Sequence, residues 1–294
     1  GFTQGKSSPC IFHHYKRDIT TVVHGDDFTS LAEDHQLRWL SKVLSDKFLI
    51  KDRGIMGPDD EDIKEIRLLN RKLAWESQGI RYEADQRHAE IMSKTLKLEN
   101  ANGVDTPGTT TTKQGEEEED QPLIRDEVRP YRACAARGNF LGLDRPDIQY
   151  SAKEVSRAMA NPKQSDVVAL KRMGRYLHKH PRAVFMFKFQ APQQHIRIFS
   201  DTNWAGCIKT CKSTQGGIVM LGQHCIKSWS STQAIISLSS GEAEYYGVVK
   251  AASVGLGLRA MLTDMGVTAS LEVPVSYTHL RAHETRHDVV CRLL

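Results

Sequence analysis

The period with which apolar and polar residues alternate changes several times along the chain, and each change marks an element. Residues 10–33 read as two β runs, CIFHHYKRDITTVV and FTSLA, joined at His24-Gly25-Asp26-Asp27. Gly25-Asp26 is turn chemistry, so the pattern predicts a hairpin with carboxylates at its tip. HQLRWLSKVLSDKFLI then spaces Leu37, Leu40, Val43, Leu44 and Phe48 for one face of a helix. A Gly/Pro/Asp turn, GIMGPDDED, precedes two strands, EIRLLNRKLAWE and GIRYEA, and a helix over about residues 85–96.

The pattern lapses between residues 100 and 126, where VDTPGTTTTKQGEEEEDQPLIRD offers little to bury and reads as a linker or long surface loop. Its acidic run, residues 116–120, is by default a solvated charge run. Three helical segments follow, over about 129–143, 147–160 and 165–180, the second opened by Pro146. From His195 the period shortens again into HIRIFSD, STQGGIVMLG and HCIKSWS, then a helix over about 240–265 and a fourth strand in SLEVPVSY. The order strand-strand-strand-helix-strand predicts a mixed-sheet α/β unit that stops early.

Composition narrows the class. A chain of 294 residues is long enough for two ordinary domains, and 39% hydrophobic with 26% charged residues describes a globular protein. No apolar run approaches the roughly 20 residues of a membrane span, and GFTQGKSSPCIF lacks the layout of a signal peptide, so an intracellular, non-secreted protein without a membrane partner is expected. The chain opens without Met and in mid-pattern, as a fragment would. Six scattered cysteines favour reduced thiols over a disulfide framework; Cys207 and Cys211 lack the second pair that a structural zinc site needs. A net charge of +4 is compatible with a nucleic-acid partner.

Two acidic sets carry candidate chemistry. Asp26 and Asp27 at a hairpin tip suit Mg²⁺, which prefers carboxylate oxygens, and two such ions can clamp both oxygens of a phosphoryl transfer; most Gly-Asp-Asp sequences are simply turns. Asp201 closes the strand HIRIFS and Glu244 lies near the start of the next long helix, again a two-metal arrangement; the plainer alternative is a turn Asp and a first-turn Glu serving the helix dipole. Lys171, Arg172, Arg175 and Lys179 in LKRMGRYLHKH suit phosphates, or form an ordinary solvated helix face. His283-Glu284-Thr285-Arg286-His287 matches the H-E-x-x-H zinc pattern, but Val290 and Leu293 stand where its extended form has Gly and a third His.

The order of several motifs is more specific than any one of them. TVVHGDDFTSL, YRACAARGNFLGLDRPDIQYSAKEVSRAM, LKRMGRYL, SDTNWAGC with KSTQGG, and IKSWSSTQAIISLSSGEAEYYG together resemble the C-terminal part of a copia-type LTR-retrotransposon polyprotein over roughly residues 1–274. His-Gly-Asp-Asp in place of the usual Tyr-Val-Asp-Asp resembles a dinoflagellate-like variant. The resemblance implies an α+β fold: a partial reverse-transcriptase palm (1–99), an acidic linker (100–128), thumb or connection helices (129–190) and an incomplete ribonuclease H-like mixed α/β domain (194–274). It implies that Asp26 and Asp27 match the polymerase aspartate pair and Asp201 and Glu244 the first two ribonuclease H carboxylates, all holding Mg²⁺. It further implies RNA template, DNA primer and RNA–DNA hybrid as partners, other polyprotein parts such as integrase and capsid, and a cytoplasmic particle or the nucleus as location.

Each metal set needs further aspartates that the resemblance does not find here, so the expectation is an enzyme family represented by an inactive chain. A non-catalytic nucleic-acid-binding remnant is the alternative, and a zinc protease through HETRH the remote one. PVSYTHLRAHET replaces the family's Asp-Ser strand end, and residues 275–294 resemble a translated sequencing-library adaptor. Re-sequencing the locus past codon 274 is expected to give a different continuation; a genomic template encoding HLRAHETRH would contradict the adaptor reading.

Overall fold

A computed structural model describes residues 1–109 and 120–274 and the backbone of Arg292 and Leu293. Residues 116–119 of the acidic run and the HETRH motif lie outside the described residues. The architecture is mixed α/β, with three sheets and six α-helices among the described residues. No helix there is long and apolar enough to cross a membrane.

β1 (Thr3–Gln4), β2 (Ile11–His14), β3 (Ile19–His24) and β4 (Asp27–Leu31) form an antiparallel meander. The run expected to be continuous over 10–23 breaks at Tyr15-Lys16-Arg17-Asp18, where Asp18 takes a left-handed φ of 48°. Gly25 and Asp26 make the tight turn between β3 and β4, with Gly25 at φ 59° and His24 paired to Asp27. α1 (Asp34–Ser45) stops short of Phe48, and Phe48 and Leu49 are exposed. Leu40 is its one fully buried residue, so the last expected turn has no surface to hold it.

The second sheet has the order β5 (Glu65–Leu68), β6 (Arg71–Glu76), β7 (Gly79–Glu83), β8 (Val184–Lys188). EIRLLNRKLAWE is therefore a hairpin, not one strand: Leu69 and Asn70 both adopt positive φ, 47° and 67°, and reverse the chain. β8 was missed by the period reading. It follows Lys179, the last residue of a helical layer, by a short connection and pairs along all of β7, Gly79 with Lys188 through Glu83 with Val184.

That layer is α2 (Arg87–Thr95), α3 (Arg125–Leu141), α4 (Gln149–Arg157) and α5 (Gln164–Lys179), with a 3-10 turn at Pro146–Ile148 before α4. Leu170, Met173 and Leu177 repeat at helical spacing and bury against Met92, Cys134 and Val155. The Tyr131 hydroxyl donates to the Val155 carbonyl at 2.7 Å, locking α3 to α4, and burial pushes its phenol pKa up. Tyr82 of β7 donates to Asp144 at 2.6 Å, and Arg71 pairs with the same carboxylate at 2.9 Å, so the second sheet is tied to the loop after α3. Burial, then the bond to Asp144, push the Tyr82 phenol up to about 12.

The third sheet has the order β11 (His224–Thr232), β10 (Lys212–Leu221), β9 (His195–Cys207), β12 (Ser270–Glu272), β13 (Arg292–Leu293). β9, β10 and β11 are antiparallel, α6 (Ser240–Asp264) crosses over, and β12 returns parallel to β9. One face of the sheet packs on α6 and α4 approaches the other, where Gln149 donates to the Ser228 carbonyl at 3.2 Å. At its far end α6 meets the first sheet: the Asp264 carboxylate accepts the backbone N–H groups of Lys6, Ser7 and Ser8 at 2.9, 2.9 and 2.8 Å.

Arg145 holds the turn before α4. It is 2% exposed, and its Nε and Nη2 donate to the two Asp147 oxygens at 3.0 and 2.7 Å. Burial pushes the Asp147 carboxyl up, but the Arg145 bonds and charge, with the Tyr176 hydroxyl, outweigh it and hold the carboxyl below its ordinary value of 3.8. A depressed folded pKa gives stability that is complete above 3.8 and lost as pH falls through the lower folded value. Asp147→Asn is expected to cost about 1–2 kcal/mol at neutral pH, because the buried guanidinium loses its charge partner while solvent screening at the exposed carboxylate reduces the loss. Urea unfolding from pH 7 down to 2 is the check: the variant's stability should fall less steeply with acid than the parent's.

Candidate functional site

Residues along β9 alternate between two faces. Ile196, Ile198 and Thr202 are buried on the α6 side, and small residues on α6 let the helix come close. A Cβ on Gly247 would lie 2.6 Å from the Thr202 hydroxyl, and one on Gly255 2.6 Å from Ile198 and 2.4 Å from Leu271. Asp201 has the opposite parity. It is exposed and lines an open cleft of about 340 Å³, with Phe199, Gly216 and Ile218 on the sheet and Gln149 and Tyr150 across from it. β9 also continues to Cys207, so Asp201 sits within the strand and not at its end.

Glu244 reaches the same region from the helix. Its carboxylate accepts the backbone N–H of Thr202, the residue after Asp201, at 3.3 Å. That N–H is accessible because β12 pairs β9 only along His195–Arg197, leaving the next part of this edge without a strand among the described residues. The first-turn role expected for Glu244 is filled by Glu242 instead. Glu242 accepts the Leu238 N–H at 2.7 Å while the Ser239 hydroxyl accepts the Glu242 N–H at 3.1 Å, a reciprocal cap. Asp201 and Glu244 thus meet β9 at consecutive residues, Asp201 on the cleft face and Glu244 from the α6 side at Thr202. Two carboxylates there suit an oxygen-seeking divalent cation that keeps several waters.

The other candidates are placed differently. Asp26 lies in the β3–β4 turn and Asp27 opens β4, both exposed. Neither belongs to a group of three ligand side chains. Among the described residues that condition is met by Asp34, Asp59 and Asp62, brought together by the start of α1 and the GPDDED turn. Their only signal in the sequence was turn chemistry, and the Lys64 ammonium already bonds the Gly57 carbonyl at 3.0 Å and the Asp59 carbonyl beside them. Cys207 is buried and accepts from Arg157 at 3.2 Å, while Cys211 is exposed; neither is in a disulfide.

The basic row on α5 is not bare. Lys171, Arg175 and Lys179 recur every fourth residue along one face, with Arg172 beside them. Segment 102–106 of the linker lies over it: Arg172 donates to the Thr106 hydroxyl at 2.7 Å, Arg175 to the Asn102 carbonyl at 2.6 Å, and Lys179 to Asp105 at 2.5 Å. Nothing in the composition of the linker signalled these contacts.

No protein-family model matches the chain. It is 37% identical over 166 residues to the retrovirus-related Pol polyprotein from transposon RE1 of Arabidopsis thaliana, covering 54% of this chain and 11% of that protein. The corresponding protein from transposon RE2 of the same plant is 36% identical over 166 residues, with the same coverage of 54% and 11%. The Pol polyprotein from transposon TNT 1-94 of Nicotiana tabacum is 25% identical over 274 residues, covering 89% of this chain and 20% of that protein. The chain therefore spans a minor part of the length of its relatives.

The Glu244 contact gives a stability test. Glu244→Ala is expected to lower stability by about 1 kcal/mol by leaving the Thr202 N–H without its acceptor, and Glu244→Gln, which keeps an oxygen, to restore most of it. Chemical denaturation of the three proteins measures this; equal midpoints for Ala and Gln would contradict the contact.

Proposed function

We propose that the chain, similar over part of its length to retrotransposon Pol polyproteins, is a fragment of a copia-type polyprotein and derives from an RNA-directed DNA polymerase with a ribonuclease H domain. The parent copies RNA into DNA on a DNA primer and cuts the RNA strand of the resulting hybrid. Asp26 and Asp27 belong to the polymerase site, Asp201 and Glu244 to the nuclease site, and the cation is Mg²⁺. When bound, Mg²⁺ supplies charge stabilisation to the attacking and leaving oxygens of phosphoryl transfer. Integrase and capsid segments of the same polyprotein, in an intracellular particle or the nucleus, complete the setting.

The observation that carries this reading is the β9–α6 junction. Three antiparallel strands, a crossover helix and a parallel return strand set Asp201 of β9 beside an open cleft and bring the Glu244 carboxylate of α6 to the backbone N–H of the next residue, Thr202. Glu244 orients itself on the Thr202 N–H, and Glu242 caps the helix, so the second carboxylate is spared that task. The Asp26–Asp27 turn supports the polymerase assignment less directly, through its position on an exposed tight hairpin.

Two carboxylates alone do not complete either site, and on this reading the 294-residue polypeptide is expected to be inactive in both reactions. A second role rests on the α5 row, whose cations suit the phosphates of a hybrid duplex. With Mg²⁺ present, the polypeptide is expected neither to extend a primer on poly(A) nor to cleave an RNA–DNA hybrid; either activity would overturn the inactivity. Extended by contiguous coding sequence on both sides, it is expected to cleave the hybrid, and Asp201→Asn to lower that cleavage by roughly a hundredfold or more. An extended protein without cleavage, or one indifferent to Asp201→Asn, would refute the nuclease assignment.

A further inference from the structure

The α5 row carries cations at residues 171, 175 and 179, steps of about 6 Å along one helix face. Such a row presents N–H donors to a ribbon of anionic oxygens. In this structure three of its groups, counting Arg172, already hold oxygens, and all of those come from the linker. A carboxylate lies on Lys179, a carbonyl on Arg175 and a hydroxyl on Arg172. The Nε of Arg172 is buried and has no acceptor among the described residues, so the strap satisfies that guanidinium incompletely.

We propose that residues 102–106 are an intramolecular strap that occupies the phosphate-binding face of α5 and must lift away before a nucleic-acid backbone can lie there. The inference rests on the reading of α5 as a hybrid-binding face. It adds that the face is self-competed in the free protein. Gly103 is what permits it: a Cβ there would come within 2.6 Å of the Lys179 Cβ, so glycine lets the strap lie directly on the lysine stem. Asp105 supplies the charge. Its side chain is 81% exposed, and its ion pairs are with Lys179 and His180. Bonding from Lys179 holds its carboxyl below the usual carboxylate range, so it stays anionic at neutral pH.

The competition has a thermodynamic signature. Each lysine or arginine that neutralises a phosphate ordinarily releases a condensed counterion from the nucleic acid, steepening the dependence of log K on log salt by about 0.9. While Asp105 holds Lys179, that contact is withheld or is formed at the cost of an existing ion pair. Affinity is therefore lower and the salt dependence shallower than the basic row alone would give.

Fluorescence anisotropy with a labelled 20-base-pair RNA–DNA hybrid, over a series of salt concentrations, tests this with the full 294-residue chain. Asp105→Asn is expected to bind roughly three- to tenfold more tightly at low salt, with a slope steeper by about 0.9. Gly103→Ala, which moves the strap without changing its charge, is expected to tighten binding in the same direction. Lys171→Glu, on the face but outside the strap contacts, should weaken binding. If both strap variants bind like the parent while Lys171→Glu binds more weakly, the strap is overturned and the binding face stands. If Lys171→Glu leaves binding unchanged, the binding face is wrong and the strap proposal fails with it.

Discussion

How closely α6 can approach β9 decides how Glu244 meets the strand beside Asp201. Ala243, Gly247, Ala251 and Gly255 recur every fourth residue and are the buried positions of the helix. At Gly247 and Gly255 a methyl group would fall within 2.6 Å of Thr202 and Ile198. Close packing of this kind leaves no slack, so one added carbon shifts the helix or strains the strand. The same proximity lets a side chain as short as Glu244 reach the Thr202 backbone. The orientation of that carboxylate is thus a consequence of two glycines some distance from it.

The remaining structure supports β9 and its neighbours from the opposite face. α4 lies across the sheet from α6, positioned by the buried Arg145 and its ion pair to Asp147 before it and by Tyr131 bonding its backbone. Lys153 extends from α4 to the Thr214 and Thr232 hydroxyls at 3.1 and 3.4 Å, joining the helical layer to β10 and β11. The cleft beside Asp201 is the gap these contacts leave. β8 makes the helical layer continuous with the second sheet, because the chain leaves α5 and pairs at once with β7. An anion-holding loop at Lys6–Ser8 secures the first sheet to the last residue of α6.

Much of this was legible in the sequence because it depends on periodic burial. Leu170, Met173 and Leu177 mark α5, and the strand-strand-strand-helix-strand order was readable from His195 onward. What escaped depends on single backbone conformations or on long-range contacts. Leu69 gives no turn signal, yet it takes a left-handed φ and divides what reads as one strand. Val184–Lys188 is a short apolar run that becomes a strand only because β7 offers an edge. The parity of Asp201 was hidden for a related reason: taking the strand to end there concealed which face the side chain would occupy. The linker was read from composition alone, and composition does not reveal that Asn102, Asp105 and Thr106 match the spacing of donors on α5.

The central proposal is that Asp201 and Glu244, which meet β9 at consecutive residues, serve one divalent-cation site at the β9–α6 junction. Paramagnetic broadening of backbone amide signals by Mn²⁺, an oxygen-seeking stand-in for Mg²⁺, reports on it directly. The amides of Thr202 and Glu244 should broaden at the lowest Mn²⁺ concentrations in the parent protein and stay sharp there in Gly247→Ala, where the added methyl displaces the helix. Broadening confined to the neighbourhood of Asp34, Asp59 and Asp62, with Thr202 unaffected, would contradict the account.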